Sequence, residues 1–264
     1  MQIDKITEIF KKIMDMLDAG RVADVIGLLN GFCDDAEDDV ELFSVFGDML
    51  ADEGYVTEAV ALYGRVVEKY PDDTGLFAAY GDLLFEEGRG LDAIDAYRKV
   101  IAIDPLHAEA FAGIGLVWMS MGEKAAAAEN FMKALEIAPD NLTALNALGD
   151  TAYDEGEYEK AMQYYREAIS VDPGDPSAHV GLGQLYYDLD ETEEAEAECM
   201  EAIRLDPSAV MAYLTLGEIC LDDERVEDAV RYFDKYLKYE KSPQAVDMIA
   251  EVRAVVNELK EELK

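Results

Sequence analysis

The sequence predicts an all-α protein, a stack of antiparallel helix pairs, and three observations carry that prediction. First, small residues and prolines return every 34 positions without a break. Gly47, Gly81, Gly115, Gly149, Gly183 and Gly217 share one place in the interval, Ala59, Ala93, Ala127, Ala161, Ala195 and Ala229 a second, and Pro71, Pro105, Pro139, Pro173 and Pro207 a third. Second, each interval holds two stretches with apolar side chains at helical spacing, as in Phe111, Ile114, Val117 and Trp118 followed by Ala127, Phe131, Ala134 and Leu135. That is the pattern of an amphipathic helix. Third, the stretches are punctuated. Gly54, Gly88, Gly122 and Gly156 stop the first helix, because Gly enters the left-handed conformation of a helix end without steric cost. The prolines stop the second, since Pro donates no hydrogen bond and its predecessor avoids helical angles. A fixed period of this length marks a solenoid, in which each unit touches only its neighbours.

Taken in order, residues 1–5 are a short lead-in, and units begin at Ile6, Val40, Thr74, Ala108, Leu142, Pro176 and Val210. The unbroken register makes residues 1–264 a single repeat domain. In the first unit Ile13, Val25 and Glu37 replace the usual Gly, Ala and Pro, as suits a terminal repeat with one neighbour. It also holds Lys5, Lys11 and Lys12 beside Phe10, a small basic island in an acidic chain. Residues 34–41 are a dense acidic run, read as a solvated loop and the next helix start, where carboxylates suit the helix dipole. They lack the alternating ligands, central Gly and closing Glu of a calcium loop. The Gly and Ala positions of the later units are read as the crossing point of each helix pair, where larger side chains would force the helices apart. Residues 244–264 form one more helix, with Val246, Ile249, Val252, Val256, Leu259 and Leu263 on one face. Its predicted task is to cover the apolar end of the stack.

These residues resemble the tetratricopeptide repeat (TPR) family. Gly115, Trp118, Ala127, Phe131 and Pro139 fall at the family's offsets within one unit, and the neighbouring units supply Gly149, Ala161, Tyr165 and Pro173, and Gly81, Ala93, Tyr97 and Pro105. Departures are Lys241 for Pro in the last unit, and His179 and Cys199 where the sixth would carry a bulky apolar and an aromatic residue. The resemblance implies a right-handed superhelical solenoid and a non-enzymatic role in protein–protein interaction. It also implies that the first helix of each pair lines a concave groove. Carried over residue by residue, the groove positions include Asp48, Asp82, Phe85, Leu116, Met119, Asn146, Asp150, Tyr153, Asp154, Gln184 and Tyr187. Small residues at mid-length, Ala78, Ala79, Ala112, Gly113 and Ala147, are read as a roomy floor. Phe85, Leu116, Met119 and Tyr153 become apolar anchors across the third to fifth units, with Asp82, Asp150 and Asp154 supplying charge. TPR clamps for acidic C-terminal tails use Lys, Asn and Arg in the groove. Here those places are acidic or small, which excludes such a tail.

Composition narrows the partners. The chain has 59 acidic and 22 basic side chains, a formal net charge of −37. Nucleic acid and anionic membrane are excluded as partners, because phosphates are held by Lys and Arg. The expected partner is a protein or peptide with a basic or amphipathic segment; adaptation to salt accounts equally for the acidity. An alternative is self-assembly, in which the basic first helix enters the groove of another copy and builds a homo-oligomer. No catalytic motif, cofactor or metal site is expected. The two histidines, His107 and His179, read as structural, and paired carboxylates are unavoidable at this composition. Cys33, Cys199 and Cys220 read as reduced thiols. With no charged leader and no apolar run near the ~20 residues of a membrane span, the sequence is expected to be soluble and cytoplasmic.

Overall fold

A computed structural model describes residues 2–35 and 40–263. The middle of the acidic run, residues 36–39, lies outside the described residues, as do the side chains of Lys5 and Cys33. All regular structure among the described residues is helical, in pairs: α1 (Gln2–Asp18) with α2 (Val22–Asp35), α3 (Val40–Asp52) with α4 (Val56–Lys69), α5 (Thr74–Glu86) with α6 (Gly90–Ile103), α7 (Ala108–Ser120) with α8 (Lys124–Ile137), α9 (Leu142–Asp154) with α10 (Tyr158–Val171), α11 (Pro176–Asp188) with α12 (Thr192–Leu205) and α13 (Val210–Asp222) with α14 (Val226–Tyr239). A short 3-10 turn (Pro243–Ala245) leads into α15 (Val246–Glu262). The helices fall into two compact units, Met1–Ile137 and Ala138–Lys264.

The same local chemistry starts most of the inner helices, the first of each pair. The residue before each accepts a hydrogen bond from the first turn: Asp73 from Leu76 N at 3.0 Å, His107 Nδ1 from Ala110 N at 3.3 Å, Asn141 from Ala144 N at 2.9 Å and Asp175 from Ser177 N at 3.0 Å. Such a cap satisfies a donor that the helix itself leaves unpaired. His107 is therefore structural, as expected, with a defined job. The Asp of each Asp-Pro pair closes a tight turn over the proline, accepting from Leu106 N, Gly174 N, Ser177 N and Ser208 N.

The stop between the helices of a pair is less uniform than the glycines suggest. Gly54, Gly88, Gly122 and Gly156 have φ between +75° and +82°. In the last two pairs the same place is held by Asp190 (φ +59°) and Glu224 (φ +58°). A left-handed non-glycine residue costs about 1–2 kcal/mol, less for Asp, whose short side chain bonds locally. Glu224→Gly is thus expected to raise the unfolding free energy by about 0.5–1 kcal/mol after allowing for the extra flexibility of Gly in the unfolded chain. Chemical denaturation measures it, and an unchanged midpoint would contradict the strain.

Inside the pairs from α3 and α4 onward the recurrent Ala is buried, and the recurrent Gly in most of them faces a ring on the second helix. A Cβ on Gly115 would lie 2.5 Å from Phe131, on Gly149 2.5 Å from Tyr165 and on Gly217 2.4 Å from Phe233. The Gly is small because an aromatic side chain lies on it, a more specific reason than helix crossing. In α11 and α12 the ring is absent; Cys199 Sγ sits against Gly183 instead. Cys199 is fully buried and unpaired, and burial pushes its thiol up to about 12, so it packs as an inert apolar group. His179 is buried too, its Nδ1 2.6 Å from Glu198. In the first unit Phe43, Phe46, Tyr63, Leu84, Tyr97 and Val117 form the spine of the core. In the second, α15 packs on α14 through Val252, Val256 and Leu259, against Phe233 and Tyr236. The ends of its predicted apolar face, Val246 and Leu263, stay 61% and 46% exposed. No helix among the described residues is long and apolar enough to cross a membrane.

Candidate functional site

In the second unit the inner helices α9, α11 and α13 pack side by side, and their first-helix positions face a pocket of about 570 Å³. Five of the residues picked from the sequence line it together: Asn146, Asp150, Tyr153, Asp154 and Gln184. Tyr165, Val180, Gly181 and Met211 complete the wall, with Asp206 and Ser208 at one end. Tyr187 stands on the same face of α11 but is not part of the lining, and its hydroxyl donates to Asp222 at 2.8 Å.

The other predicted residues lie in the first unit. Leu116 and Met119 are half-buried on α7. Phe85 lines a separate pocket of about 470 Å³ with Gly88, Leu91, Ser120 and Met121, where Arg89 is held by Asp92 and Glu87. Part of the supposed floor in this unit is occupied. Ala112 and Gly113 are buried, and a Cβ on Gly113 would meet Tyr97 Cζ at 2.7 Å. The small residue is there to admit the chain's own ring. This cavity belongs to the helix pairs from α9 onward, so of the four anchors chosen from the sequence it takes in Tyr153 and leaves out Phe85, Leu116 and Met119.

Asp48, Asp82 and Asp150 have a role that the sequence reading missed. Each accepts a hydrogen bond from the tyrosine fifteen residues ahead: Tyr63 at 2.8 Å, Tyr97 at 2.6 Å and Tyr165 at 2.7 Å. The signal was present in the repeats. Where that later position holds Leu29, Phe131, Cys199 or Phe233, the earlier one holds Met14, Leu116, Gln184 or Glu218 rather than Asp. A buried phenol needs an acceptor, so the Asp follows the Tyr. Burial, together with the Asp partner, pushes these phenols upward, and they remain donors at any physiological pH.

A second series of phenol–carboxylate bonds runs between neighbouring inner helices. Tyr153 of α9 donates to Asp188 of α11, and Tyr187 of α11 to Asp222 of α13. These phenols, too, are raised, first by burial and then by their Asp acceptors. A phenol donates a hydrogen bond and leaves the carboxylate charge in place. The charge is crowded as a result. Asp150 is raised above the ordinary carboxylate range, chiefly because protein displaces water around it; Asp154 adds to the effect and the Tyr165 bond opposes it. Glu218 is raised by the same loss of water, then by Asp188 and Asp222. One wall atom also lacks a partner. Asn146 donates through Nδ2 to Asp175 at 2.5 Å, whereas its Oδ1 is buried with no hydrogen bond, a state that costs free energy until a donor arrives. Chemically, the site offers negative charge, aromatic surface and side-chain amides; among the described residues no group of three His, Cys, Asp or Glu is placed to hold a metal ion.

Comparison with known proteins agrees with the architecture. The tetratricopeptide repeat model matches residues 46–108, 79–141 and 180–246, and a further TPR repeat model matches residues 149–190. No curated protein matches the sequence. Among solved structures, a tetratricopeptide repeat protein from Parabacteroides merdae aligns with a TM-score of 0.68 at 19% identity, over 94% of this chain and 98% of its own. Yeast Tom70 aligns with a TM-score of 0.65 at 16% identity, over 85% of this chain and 47% of its own. YrrB, described as a TPR protein with an unusual peptide-binding site, aligns with a TM-score of 0.50 at 21% identity, over 69% and 94%. At these identities the structures speak for the fold alone, and the matched models for the family. The chain belongs to the tetratricopeptide repeat family, whose repeats generally mediate protein–protein interaction.

Proposed function

We propose that this protein is a non-enzymatic interaction scaffold that takes a basic or amphipathic segment of a partner protein into the acidic pocket of α9, α11 and α13. The single observation that carries this reading is the pocket itself: it gathers Asn146, Asp150, Tyr153, Asp154 and Gln184, and burial raises the Asp150 carboxyl above its ordinary value, with the neighbouring Asp154 adding to the effect. A Lys or Arg side chain offers countercharge to these carboxylates, and its methylene stem suits the Tyr and Met surface.

The test is titration of a fluorescent Lys-rich amphipathic peptide against the full chain. Binding is expected to weaken as salt rises, and by about tenfold in a double charge reversal, Asp150→Lys with Asp154→Lys. The pH dependence has a fixed sign. A bound cation favours the ionised carboxylates, so affinity is complete at neutral pH and is lost as pH falls through the raised pKa of Asp150, which burial holds above its ordinary value. Affinity indifferent to both salt and charge reversal would refute the reading.

Self-assembly through the first helix has one observation in its favour: Phe10 is 40% exposed on α1, next to the exposed Lys11 and Lys12. If α1 enters the pocket of another copy, Phe10→Asp abolishes an oligomer seen by light scattering. A strictly monomeric parent protein removes this alternative.

A further inference from the structure

We propose that the outer face of α14 is a second docking surface, opposite in sign to the pocket, and that it takes a short acidic segment of a partner protein. Residues 231–241 carry four basic side chains, Arg231, Lys235, Lys238 and Lys241, against two acidic ones, Asp234 and Glu240. The whole chain holds 59 acidic and 22 basic side chains, so this stretch inverts its balance. Residues three and four apart lie on one side of a helix, which brings Arg231, Tyr232, Lys235, Lys238 and Tyr239 onto a single face. The opposite face is closed by packing, with Phe233 and Tyr236 buried in the core cluster. Arg231, Lys235 and Lys238 are exposed, and Tyr232 and Tyr239 are half-buried among them. None of these residues lines the pocket of α9, α11 and α13.

The face differs from its surroundings in what its carboxylates do. Elsewhere in the same unit Lys160 meets Glu157, Arg204 meets Glu201, and Arg225 meets Glu196 and Asp223. On α14 the acids are committed to other partners. Asp234 holds Lys260 of α15 at 2.8 Å, Glu240 accepts from Ser242 N at 2.6 Å, and Asp228 answers Arg231 at 3.0 Å. Lys235, Lys238 and Lys241 therefore have no carboxylate partner among the described residues. Lys238 donates to the Tyr239 phenol at 3.3 Å, and Lys241 to the Leu237 carbonyl at 3.2 Å. Arg231 lies 5.3 Å from the centre of the Tyr232 ring and Lys238 4.6 Å from that of Tyr239, which is itself stacked on Tyr213. Cations laid on fixed rings are already placed, so they lose less freedom when an anion arrives. Arg231 and Lys235, four apart, repel each other, as do Lys235 and Lys238, three apart. The helix dipole favours bases near the last turn, which accounts for Lys238 and Lys241, but it fades within that turn and leaves Lys235 unexplained. An acidic segment supplies the countercharge and relieves the repulsion. A nucleic acid or an anionic membrane fits less well, because its phosphates extend past one helix face and meet the rest of a chain of net charge −37.

The probe is a short fluorescent peptide of Asp, Glu and Phe, compared with an analogue in which Asn and Gln replace the acids. Binding to the full chain is read by fluorescence anisotropy. The acidic peptide is expected to bind, to weaken as salt rises, and to lose about tenfold in affinity with Lys235→Glu plus Lys238→Glu. Lys235→Gln plus Lys238→Gln should cause a smaller loss. Both lysines face solvent, and an unchanged circular dichroism spectrum shows that the variants fold. Asp150→Lys with Asp154→Lys is expected to leave this binding in place, since the pocket is a separate site. Equal binding of the uncharged analogue overturns the inference, as does no binding of the acidic peptide or indifference to the two lysines. Loss of acidic-peptide binding on changing Asp150 and Asp154 alone overturns it too. Vesicles of phosphatidylserine that bind through the same lysines more tightly than the peptide would replace the acidic segment with a lipid surface. Each of these failures leaves the titration of the pocket with a Lys-rich peptide to stand or fall by itself.

Discussion

Tyr165→Ala is expected to lower the unfolding free energy by about 3–5 kcal/mol, near the top of the range for removing a buried ring. The ring is 2% exposed. Two glycines press on it, Gly149 from its own helix pair and Gly181 from the next, and a Cβ on either would lie 2.5 Å from the ring. Neither glycine has a side chain that can swing in to fill the void, so the cavity cannot collapse, and incomplete collapse is what drives such losses to their upper limit. The damage should be local. Because each pair packs on its neighbours, hydrogen exchange should accelerate first in α9, α10 and α11. Tyr165→Phe separates packing from polarity. It keeps the ring, costs about 1 kcal/mol for the lost hydrogen bond, and leaves Asp150 without the phenol that holds its pKa down. Asp150 then titrates still higher, and cation binding should fade at a higher pH than in the parent. Equal destabilisation by Ala and Phe would mean that the phenol, not the ring, holds these helices together.

That contrast also marks where the sequence was informative. A period of 34 residues fixes which positions must be small, because each such position meets the equivalent position of the second helix in every repeat, and Gly47 to Gly217 could be read off directly. What the period does not carry is which neighbour that is. Gly183 faces Cys199 and Gly217 faces Phe233; one spacing serves two different contacts. Likewise, the carboxylates of Asp48, Asp82 and Asp150 looked like free charge in a groove, but a hydrogen bond to a tyrosine on another helix is a pairwise fact. It shows only when two positions are compared across all the repeats. One floor residue, Gly113, was misjudged for the same reason. Gly113 is small on account of Tyr97, whereas Gly181 faces Tyr165 and also lines the open pocket, and nothing in the residue type separates the two cases. The left-handed Asp190 and Glu224 escaped notice because a helix stop without Gly has no compositional mark.

Val256→Asp is expected to cost more than about 4 kcal/mol, the level reached when an unpaired charge is forced into a core. Val256 is 3% exposed and lies with Val252 and Leu259 in the seam between α15 and α14, beside Phe233 and Tyr236. Burying that Val contributes about 1.5–3 kcal/mol, and a carboxylate in its place must also shed its water without a partner. The control lies on the same helix: Val246 is 61% exposed, and Val246→Asp should change stability by less than about 0.5 kcal/mol. The sign of the pH dependence provides a second check. A buried carboxylate has its pKa raised in the folded state, so the folded protein binds the extra proton and the defect should shrink as pH falls toward the raised value. In a repeat stack the loss should begin at its end. Amides of α14 and α15 should exchange first, followed by α13, whose Tyr213 and Leu214 share that apolar cluster, while α9 and α10 keep their protection longest. Uniform loss of protection across Ala138–Lys264 would instead mean that the unit unfolds as a single body, and that α15 is one of its foundations rather than the lid on its last helix pair.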